Sequence, residues 1–511
     1  MIQYSEPDRV EPPMTDLDVV DRIGADLRAA GYTADDVPEL LGAGAHRALS
    51  RGELWPALRV TRDGSPLSTL VRLFLLGTTE PESLVRRALP TTGITAASGV
   101  GALELDGSDV RAGLDIRPHA DEDDDYLVVS DLDSDTRPGP VRHDHVLGIG
   151  QASLTLARAV IREPVGSVLD IGTGCGIQAL HAFSHSRSIV ATDTNPRALA
   201  LAGATARLNG QHWDLRAGSL FEPVAGEQFD LIISNPPFVI GTGTQQYIYR
   251  DSGIAGDGLC ESLVRNMPAQ LAPGGTGQLL ANWIVRGEAD WRERVGSWVE
   301  ATGCDAWVVQ RELADPAEYI ALWLKDAGES GEQAAATAQN WLDYFAAERI
   351  TGIGMGSITL RRSESANPDV VLDEIPGADE DVSGPETAAF LARRAWLRDR
   401  LDTELLASHL ALAPSVILEQ RALAGPQGWT TALSLLRRPG GPGATLQLDE
   451  WGQELLAGCT GEVPLAVQLD LLAGAHDLDL GAMADAVLPT VRVAITRGLL
   501  HPVDPTGAST P

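Results

Sequence analysis

Basic residues are scarce in this sequence. Lys325 is the only lysine, and 39 basic residues stand against 71 acidic ones, for a formal net charge of −32 at pH 7. The deficit is spread along the chain, with net charges of −13, −5 and −14 for residues 1–140, 141–325 and 326–511. Nucleic-acid-binding proteins usually neutralise phosphates with clustered Lys and Arg, and an acidic field repels a polyanion within a Debye length of about 8–10 Å. The charge therefore disfavours a nucleic-acid partner, although a local arginine patch would still permit one.

Paired cysteines and long apolar runs are also missing. Cys175, Cys260, Cys304 and Cys459 lie far apart, so no CxxC pair offers metal-ligand spacing and no disulfide framework is predicted. No run approaches 18 apolar residues, and the polar, acidic start at residues 1–16 is unlike a secretory signal. We expect a cytoplasmic protein with reduced thiols, no bound metal and no membrane attachment.

The length of 511 residues predicts about three domains. Residues 17–89 have a helical pattern, and residues 103–116 alternate apolar and polar side chains around an Asp-Gly turn, which predicts a β-hairpin. Helices followed by a hairpin resemble a winged-helix arrangement, which serves both nucleic-acid and protein binding. The polar, Pro/Gly-rich segment 131–140 then predicts a linker that ends a first domain at residue 140.

Strands and helices alternate in the middle of the chain, which predicts an α/β domain at 141–325. The third domain, 326–511, is predicted to be mainly helical from 384 to 503. Neither terminal domain has a catalytic constellation, so both are predicted to recognise a substrate or a partner. The strands predicted for the central domain are 167–171, 188–193, 229–235, 276–281, 306–310 and 319–324. Beyond this domain we predict a polar linker at 326–337, a helix at 340–349, a strand at 350–362, a loop at 438–443 and a frayed end at 504–511.

A glycine-rich turn follows the first of these strands, in the sequence Asp-Ile-Gly-Thr-Gly-Cys-Gly at 170–176. Glycines let the backbone approach a ligand closely. A dinucleotide fingerprint would read GxGxxG and hold a pyrophosphate at a helix N-terminus. The shorter GxGxG turn suits a cofactor without phosphates, and therefore favours S-adenosylmethionine over NAD. A purely structural turn would explain the glycines equally well if they stood alone.

An acidic residue, Asp193, ends the second strand, 21 residues after Gly172. An acidic side chain about 20 residues after such a turn can accept hydrogen bonds from ribose hydroxyls. The competing interpretation is that Asp193 only caps the helix that Pro196 opens.

The tetrapeptide Asn235-Pro236-Pro237-Phe238 follows the strand predicted at 229–235 and so lies at the carboxyl end of the sheet, where open α/β folds bind ligands. Two prolines stiffen the backbone, so that the amide oxygen of Asn235 and the carbonyl of Pro236 can accept both hydrogens of an NH2 group. These hydrogen bonds return electron density to a delocalised nitrogen lone pair, and Phe238 offers a ring face to a planar target. No metal is required, because alignment and stabilisation of the developing positive charge suffice.

Residues 141 to about 325 resemble class I S-adenosylmethionine-dependent methyltransferases of the NPPF/NPPY subgroup, which methylates amino nitrogens of release-factor glutamine, adenine or guanine. The resemblance covers little over a third of the chain. Relatives commonly have an Asp where this chain has Gly218, Ser219 and Leu220, so the resemblance implies contact with adenine through Ser219 or the backbone of Leu220. The resemblance implies cofactor-binding roles for Asp170, Gly172, Thr173, Gly174, Gly176, Asp193, Thr194, Ser219, Leu220 and Asn235, and catalytic roles for Asn235, Pro236, Pro237 and Phe238.

The stretch 250–259 resembles the glycine-rich segment of HemK-type release-factor glutamine methyltransferases; otherwise it is a surface loop that leads into a helix. Together with the acidic charge, it favours a glutamine-like amide of a protein, such as a translation factor, as acceptor. Methylation of adenine or guanine in RNA or DNA, with the flipped base stacked on Phe238, is the alternative. A small-molecule methyltransferase and a cofactor-binding module without turnover also stay open. His143 and His145 are assigned no role, since scattered histidines are usually structural.

Overall fold

The structure is a computed structural model that describes residues 11–121, 124–133, 136–137, 141–244, 247–375, 382–426 and 428–503. The described residues form two compact units. The first comprises the chain up to Ala157 together with Glu163–Cys304 and Glu312–Ala366, and the second comprises Arg158–Arg162, Asp305–Arg311 and the chain from Asn367 onward. The predicted frayed end, the first ten residues of the predicted polar start and five positions of the predicted linker 131–140 lie outside the described residues. The predicted division into three domains stays a prediction.

The first unit begins with short helices followed by a small sheet, as the sequence pattern predicts. The elements are α1 (Leu17–Ala29), α2 (Asp36–Leu49), α3 (Trp55–Val60), α4 (Pro66–Leu70), a π-helical turn Val71–Leu75, β1 (Glu80–Pro81), α5 (Glu82–Ala88), α6 (Ile94–Gly99), β2 (Leu103–Asp106), β3 (Asp109–Ala112), β4 (Asp115–Asp121) and β5 (Asp124–Ser130). Strands β2 and β3 form a hairpin with Gly107 in the turn, and β1 pairs with β3 to give the sheet order β1-β3-β2. The hairpin ends at Ala112, and Ile116 belongs instead to β4, which pairs with β5.

Strands and helices then alternate. The elements are α7 (Gln151–Ala159), β6 (Val165–Ile171), α8 (Ile177–Ala182), β7 (Ser186–Asp193), α9 (Pro196–Leu208), β8 (Asp214–Ala217), β9 (Phe229–Ser234), α10 (Gly258–Asn266), β10 (Leu271–Arg286), α11 (Trp291–Glu300), β11 (Asp305–Ala314), α12 (Pro316–Asp326), α13 (Gly331–Ala347) and β12 (Ile350–Arg361), with 3₁₀ turns at Phe183–His185, Glu222–Val224 and Met267–Ala269. Five of the six strands predicted for the central domain are present, most of them longer than predicted.

The order β8-β7-β6-β9-β10-β12 defines the sheet of the first unit. Strands β6 to β10 run parallel, and β12 is antiparallel to β10. Because β9 pairs with β6 on the side opposite β7, the order of the strands reverses between β6 and β9. In open α/β sheets such a reversal opens a crevice at the carboxyl ends of the strands. The predicted α/β, Rossmann-like fold is confirmed, and its sheet extends beyond residue 325 to β12.

Two predictions for the segment after β11 are wrong. Residues 319–324 are not a strand but lie in helix α12, and most of the predicted linker 326–337 lies in helix α13. Asp315 accepts hydrogen bonds from the N–H groups of Ala317 and Glu318, and Pro316 occupies the first turn. This cap and proline start a helix, and its apolar face packs under α13 in a cluster around Tyr319 and Trp341.

The second unit combines helices with strands that the mainly helical prediction missed. The remaining elements are β13 (Val370–Glu374), α14 (Gly384–Arg398), α15 (Asp402–Leu406), β14 (His409–Leu412), β15 (Ile417–Gly425), β16 (Gly428–Arg437), β17 (Thr445–Gln447), α16 (Glu450–Gly458), β18 (Thr460–Pro464), α17 (Leu465–His476), α18 (Leu480–Thr496) and β19 (Leu500–Val503). Strands of this unit form the sheets β18-β14-β19 and β15-β16-β17, and β13 pairs in parallel with β11. The apolar core lies around Leu405, Leu465 and Ile495.

Candidate active site

A cleft opens at the carboxyl ends of β6, β7 and β9, where the strand order reverses. It has a volume of about 230 Å³ and is open to solvent at its mouth. Among the described residues that line it there is no arginine or lysine. Of the residues predicted for the site, the cleft is lined by Gly172, Thr173, Gly174, Asp193, Thr194, Ser219, Leu220, Asn235, Pro236 and Pro237.

The glycine turn after β6 forms the floor of the cleft. Gly172 and Gly174 have φ angles of 71° and 56°, and a Cβ added to either would meet nothing within 4 Å. The N–H groups of Gly172 and Thr173 both donate to the carbonyl of Thr192 at 2.9 Å, which fastens the turn to β7. The left-handed backbone explains the need for glycine, and the open space beside it leaves room for a ligand.

Two predicted cofactor residues lie behind the turn and do not line the cleft. Asp170 is buried, and its Oδ2 accepts hydrogen bonds from Thr173 Oγ1 at 2.6 Å and from the N–H of Ala179 at 3.3 Å. Gly176 precedes α8 with φ 86°, and a Cβ there would lie 2.5 Å from the Trp213 ring. These two residues shape the turn and do not line the cleft in this structure, so their predicted part in cofactor binding stays a prediction.

Asp193 ends β7 at the wall of the cleft. Its Oδ2 accepts the N–H of Gly174 at 3.0 Å, and its Oδ1 accepts the N–H of Asn195 at 2.8 Å. Burial raises the pKa of this carboxyl, and these backbone hydrogen bonds oppose the rise. A carboxylate has about four lone-pair sites, so Asp193 keeps capacity for further donors. The helix cap of α9 is Asn195, which accepts the N–H of Arg197, so the competing interpretation of Asp193 as that cap is wrong.

Ser219 and Leu220 follow β8 on the same side of the cleft. The N–H of Gly218 donates to the Asp193 carbonyl at 3.1 Å, and Leu220 has a φ of 49°, in the left-handed region that non-glycine residues rarely adopt. This backbone geometry turns the chain along the rim of the cleft. A backbone held in such a conformation is typical of ligand-contacting loops.

Among the described residues, the side-chain amide of Asn235 is hydrogen-bonded through its nitrogen but not through its oxygen. Its Nδ2 donates to Ser153 Oγ at 3.3 Å, whereas Oδ1 is buried and has no hydrogen-bond partner among the described residues. A buried acceptor without a partner costs free energy, so this atom marks a place where a donor is expected. Pro236 and Pro237 continue the wall of the cleft.

The ring of Phe238 does not line the cleft. It packs edge-on against Trp323 of α12, with ring centroids 6.3 Å apart and an interplanar angle of 69°. Helix α12 also anchors the next residues, because Tyr319 Oη accepts hydrogen bonds from the N–H of Ile240 and from Asn282 Nδ2, both at 2.9 Å. In this conformation Phe238 packs against α12, and its predicted role as a stacking platform for a target stays a prediction.

Sequence reasoning assigned no role to several residues that line the cleft, among them His145, Ser153 and Tyr249. Ser153 lies in helix α7; its hydroxyl accepts the hydrogen bond from Asn235, and its carbonyl accepts one from Gln178 Nε2 at 2.8 Å. The rings of His145 and Tyr249 lie 5.6 Å apart, and burial lowers the pKa of the histidine. No local pattern identifies these residues, because they meet the tetrapeptide only through the fold.

Comparison with known families identifies three segments. Residues 147–289 match the methyltransferase small domain, while residues 29–113 and 388–502 match two families each described as a domain of unknown function (DUF7059 and DUF7782). The first match contains the glycine turn, Asp193 and the Asn235 tetrapeptide. Residues 147–289 therefore form a methyltransferase domain, a class of domain whose cofactor is S-adenosylmethionine, and the predicted resemblance is confirmed for this segment.

Curated relatives fall into two groups. Ribosomal RNA small subunit methyltransferase C of Erwinia tasmaniensis is 32% identical over 173 residues, which are 33% of this chain and 46% of that protein. Release factor glutamine methyltransferase of Geobacter sulfurreducens is 33% identical over 148 residues, which are 26% of this chain and 49% of that protein. The enzyme of the same name in Cereibacter sphaeroides is 34% identical over 164 residues, which are 29% of this chain and 56% of that protein. The match thus spans about half of each relative.

Solved structures give a weaker likeness. The ribosomal protein L11 methylase of Lactobacillus delbrueckii aligns with a TM-score of 0.23 and 20% identity, covering 31% of this chain and 72% of that one. The fold assignment therefore rests on the strand order and the family match. Within the part of the chain that the structure describes, no group of three potential ligands could hold a metal ion, and no helix is long and apolar enough to cross a membrane.

Proposed function

We propose that the methyltransferase small domain at residues 147–289 is an active enzyme, which transfers a methyl group from S-adenosylmethionine to the side-chain amide nitrogen of a glutamine-like residue in a protein. The observation that carries this proposal is the open, buried Oδ1 of Asn235. The terminal regions, which match families without known function, would then recognise the acceptor. A translation-factor acceptor would place the enzyme in the cytoplasm.

The residues of the cleft fit S-adenosylmethionine. The carboxylate of Asp193 has capacity for the ribose hydroxyls, and the glycine turn gives the backbone close access. The absence of arginine and lysine among the described lining residues suits a cofactor without phosphates. Thr192 Oγ1, at the end of β7, is another buried oxygen without a partner among the described residues. When bound, the cofactor supplies a methyl group that its sulfonium has already activated.

The chain's own contribution is to hold the target nitrogen. Asn235 Oδ1 accepts one hydrogen of the target NH2 group, and the Pro236 carbonyl accepts the other. Both acceptors stabilise the positive charge that develops on the nitrogen. Ser153 holds the Nδ2 end of the Asn235 amide, so that the oxygen end is already oriented before a target arrives. Such preorganisation lowers the cost of reaching the reactive geometry.

A protein acceptor is favoured over a nucleic acid by charge. The chain has a formal net charge of −32 at pH 7, and the described residues of the cleft present no lysine or arginine to a phosphate. Methylation of a base in ribosomal RNA is the second candidate, because the group of relatives that includes the Erwinia tasmaniensis enzyme is named for that activity. The same amide clamp would hold the exocyclic amine of a base.

One experiment separates these acceptors. The protein is incubated with methyl-labelled S-adenosylmethionine and fractionated cell extract, with Asn235→Ala as the control. We expect label in protein that resists nuclease and that is reduced by about 10²–10³ with the control variant. Label that nuclease removes would support the RNA alternative, label in small molecules would exclude both, and no transfer at all would refute an active enzyme.

A further inference from the structure

The hairpin formed by β15 and β16 in the second unit leaves one edge of its sheet open. In the sheet β15-β16-β17, β15 pairs with β16 on one side, and no described residue pairs with it on the other. Eight of its nine residues are exposed, and it is longer than the usual strand of about 5–6 residues. Alternate N–H and C=O groups of an edge strand point away from the sheet. Strand β15 therefore presents a row of backbone donors and acceptors to a further strand.

Little in β15 protects this edge against pairing. Natural edge strands are often blunted by proline, by lysine, by a bulge or by charged side chains. Strand β15 has no proline and no lysine, and the bulge of the hairpin leaves β15 regular, because its extra residue is Ala432 of β16. Ile417, Leu418 and Leu423 are 54%, 46% and 69% exposed. A long apolar edge of this kind invites pairing unless another strand covers it.

The two charges on β15 have opposite signs. Glu419 and Arg421 lie two positions apart and therefore on one face of the strand, with 37% and 69% of their side chains exposed. Glu419 forms ion pairs with Arg421 at 3.2 Å and with Arg437 at 3.6 Å, and such exposed pairs add little to stability. Two charges of one sign would repel a second copy of the strand, whereas this pair can attract one.

We propose that β15 pairs antiparallel with β15 of a second copy of the chain, with Gln420 at the two-fold axis. This register places Glu419 opposite Arg421 of the second copy, and Arg421 opposite its Glu419, so that opposite charges meet twice. Ile417 lies opposite Leu423 in the same way. Parallel strands in register would instead place each charge opposite itself. The strand is thus self-complementary, as the isologous interface of a two-fold dimer requires.

This pairing leaves the core face of the hairpin undisturbed. Opposite residues of antiparallel strands project to the same face, so the charged and apolar pairs of the register all lie on one face of β15. On the other face, Ser434 opposite Gln420 is buried, and Leu436 opposite Leu418 belongs to the apolar core of the second unit. The pairs thus form on the face away from the core, and two three-stranded sheets continue into one.

Charge reversal tests the interface, with the mass of the full-length protein measured by sedimentation equilibrium. Glu419→Arg and Arg421→Glu each place like charges opposite one another twice, so each should weaken dimerisation by about tenfold or more. The double variant exchanges the two charges and should restore the dimer. An equimolar mixture of the two single variants should also dimerise, because one chain then presents two arginines to two glutamates. Glu462→Arg, at an exposed position of β18, is the matched control and should match the wild type.

Cysteine cross-linking tests the register. Directly opposite residues of antiparallel strands have Cα atoms about 4.5–5.5 Å apart, which a disulfide can span. Gln420→Cys should therefore give a disulfide-linked dimer on mild oxidation. Leu423→Cys, which is also exposed on β15, should not, because it lies opposite Ile417 rather than opposite itself. The four native cysteines are buried, so the introduced thiol is the one that reacts.

The outcomes are independent of the proposed function, because self-association requires neither cofactor nor acceptor. A wild type that stays monomeric at about 100 μM would overturn the dimer and leave the edge to a strand of another protein. A dimer that persists in both single charge variants would also overturn the proposal, since another surface would then hold it. Equal cross-linking through Gln420→Cys and Leu423→Cys would overturn the register.

Discussion

The Nδ2 of Asn235 donates a hydrogen bond to Ser153 Oγ at 3.3 Å, while the Oδ1 of the same amide is buried without a partner among the described residues. The two residues are 82 positions apart in sequence, and helix α7 brings the serine to the tetrapeptide. This hydrogen bond decides which end of the amide faces the cleft. An amide oriented by a neighbour, with its acceptor end open, is what a clamp for an NH2 group requires.

Ser153→Ala should lower turnover by about fivefold to tenfold, because it removes a neutral hydrogen bond worth about 1 kcal/mol that orients Asn235. The serine acts through Asn235 and is a positioning residue. S-adenosylhomocysteine affinity, measured by calorimetry, should stay unchanged, and Ser153→Thr should restore turnover because it keeps the hydroxyl. If threonine were no better than alanine, the orienting role of the hydroxyl would be excluded.

Asn235→Ala should lower turnover by about 10²–10³, by analogy with the loss of one preorganised oxyanion-hole donor. The fold and most of the cofactor affinity should persist. Asn235→Asp should be milder, because a carboxylate still accepts hydrogen bonds and attracts a developing cation. Single-turnover assays of both variants test this, and near-normal turnover in both would refute the amide clamp.

Asp193→Ala should weaken S-adenosylhomocysteine binding by roughly tenfold to a hundredfold, since a charge-assisted hydrogen bond is worth about 1.5–3 kcal/mol. The same change also removes the acceptor for the N–H groups of Gly174 and Asn195. Asp193→Asn separates the two effects, because its amide oxygen can still accept from the backbone. Calorimetry on both variants should rank the wild type above asparagine and asparagine above alanine; equal affinities would remove Asp193 from the site.

Much of the central domain could be predicted from the sequence because its signals are local. The glycine turn, Asp193 and Asn235 each follow a buried strand, and a parallel sheet brings the carboxyl ends of such strands together. Helix α12 could not be assigned from its apolar run 319–324, since such a run suits a buried strand and a helix equally. The cap at Asp315, the proline at 316 and the packing of Tyr319 decide for the helix.

The parts of the site that were missed depend on contacts between distant segments. Ser153 is 82 residues from Asn235, and Tyr249 reaches the cleft from a loop after the tetrapeptide. Phe238 was predicted to face a target, because nothing in the sequence shows that Trp323 lies beside it. Its position beside Trp323 depends on helix α12, which the strand predicted at 319–324 did not anticipate.

The buried carboxyl of Asp170 should make stability depend on pH. Burial raises its pKa from 3.8 to about 7; the hydrogen bonds from Thr173 and Ala179 oppose that rise, and the charge of Asp193 adds to it. In the unfolded chain the group ionises near its ordinary value. Between about pH 4 and 7 the folded protein therefore holds a proton that the unfolded chain has lost, and the contribution to stability falls as pH rises through that window.

Asp170→Asn tests this linkage, because an asparagine oxygen can still accept hydrogen bonds from Thr173 and Ala179 but does not ionise. We expect the free energy of unfolding of the wild type, relative to the variant, to fall as the pH rises from 5 to 7, by at most about 1.4 kcal/mol per pH unit. The difference should level off by pH 8. Urea titrations at pH 5, 6, 7 and 8 measure the difference in unfolding free energy between the two proteins. Subtracting the variant from the wild type cancels the contribution of other buried carboxyls, such as Asp115, whose pKa is also raised by burial. Parallel stability curves for the two proteins would mean that Asp170 ionises near its ordinary pKa and is charged beneath the glycine turn.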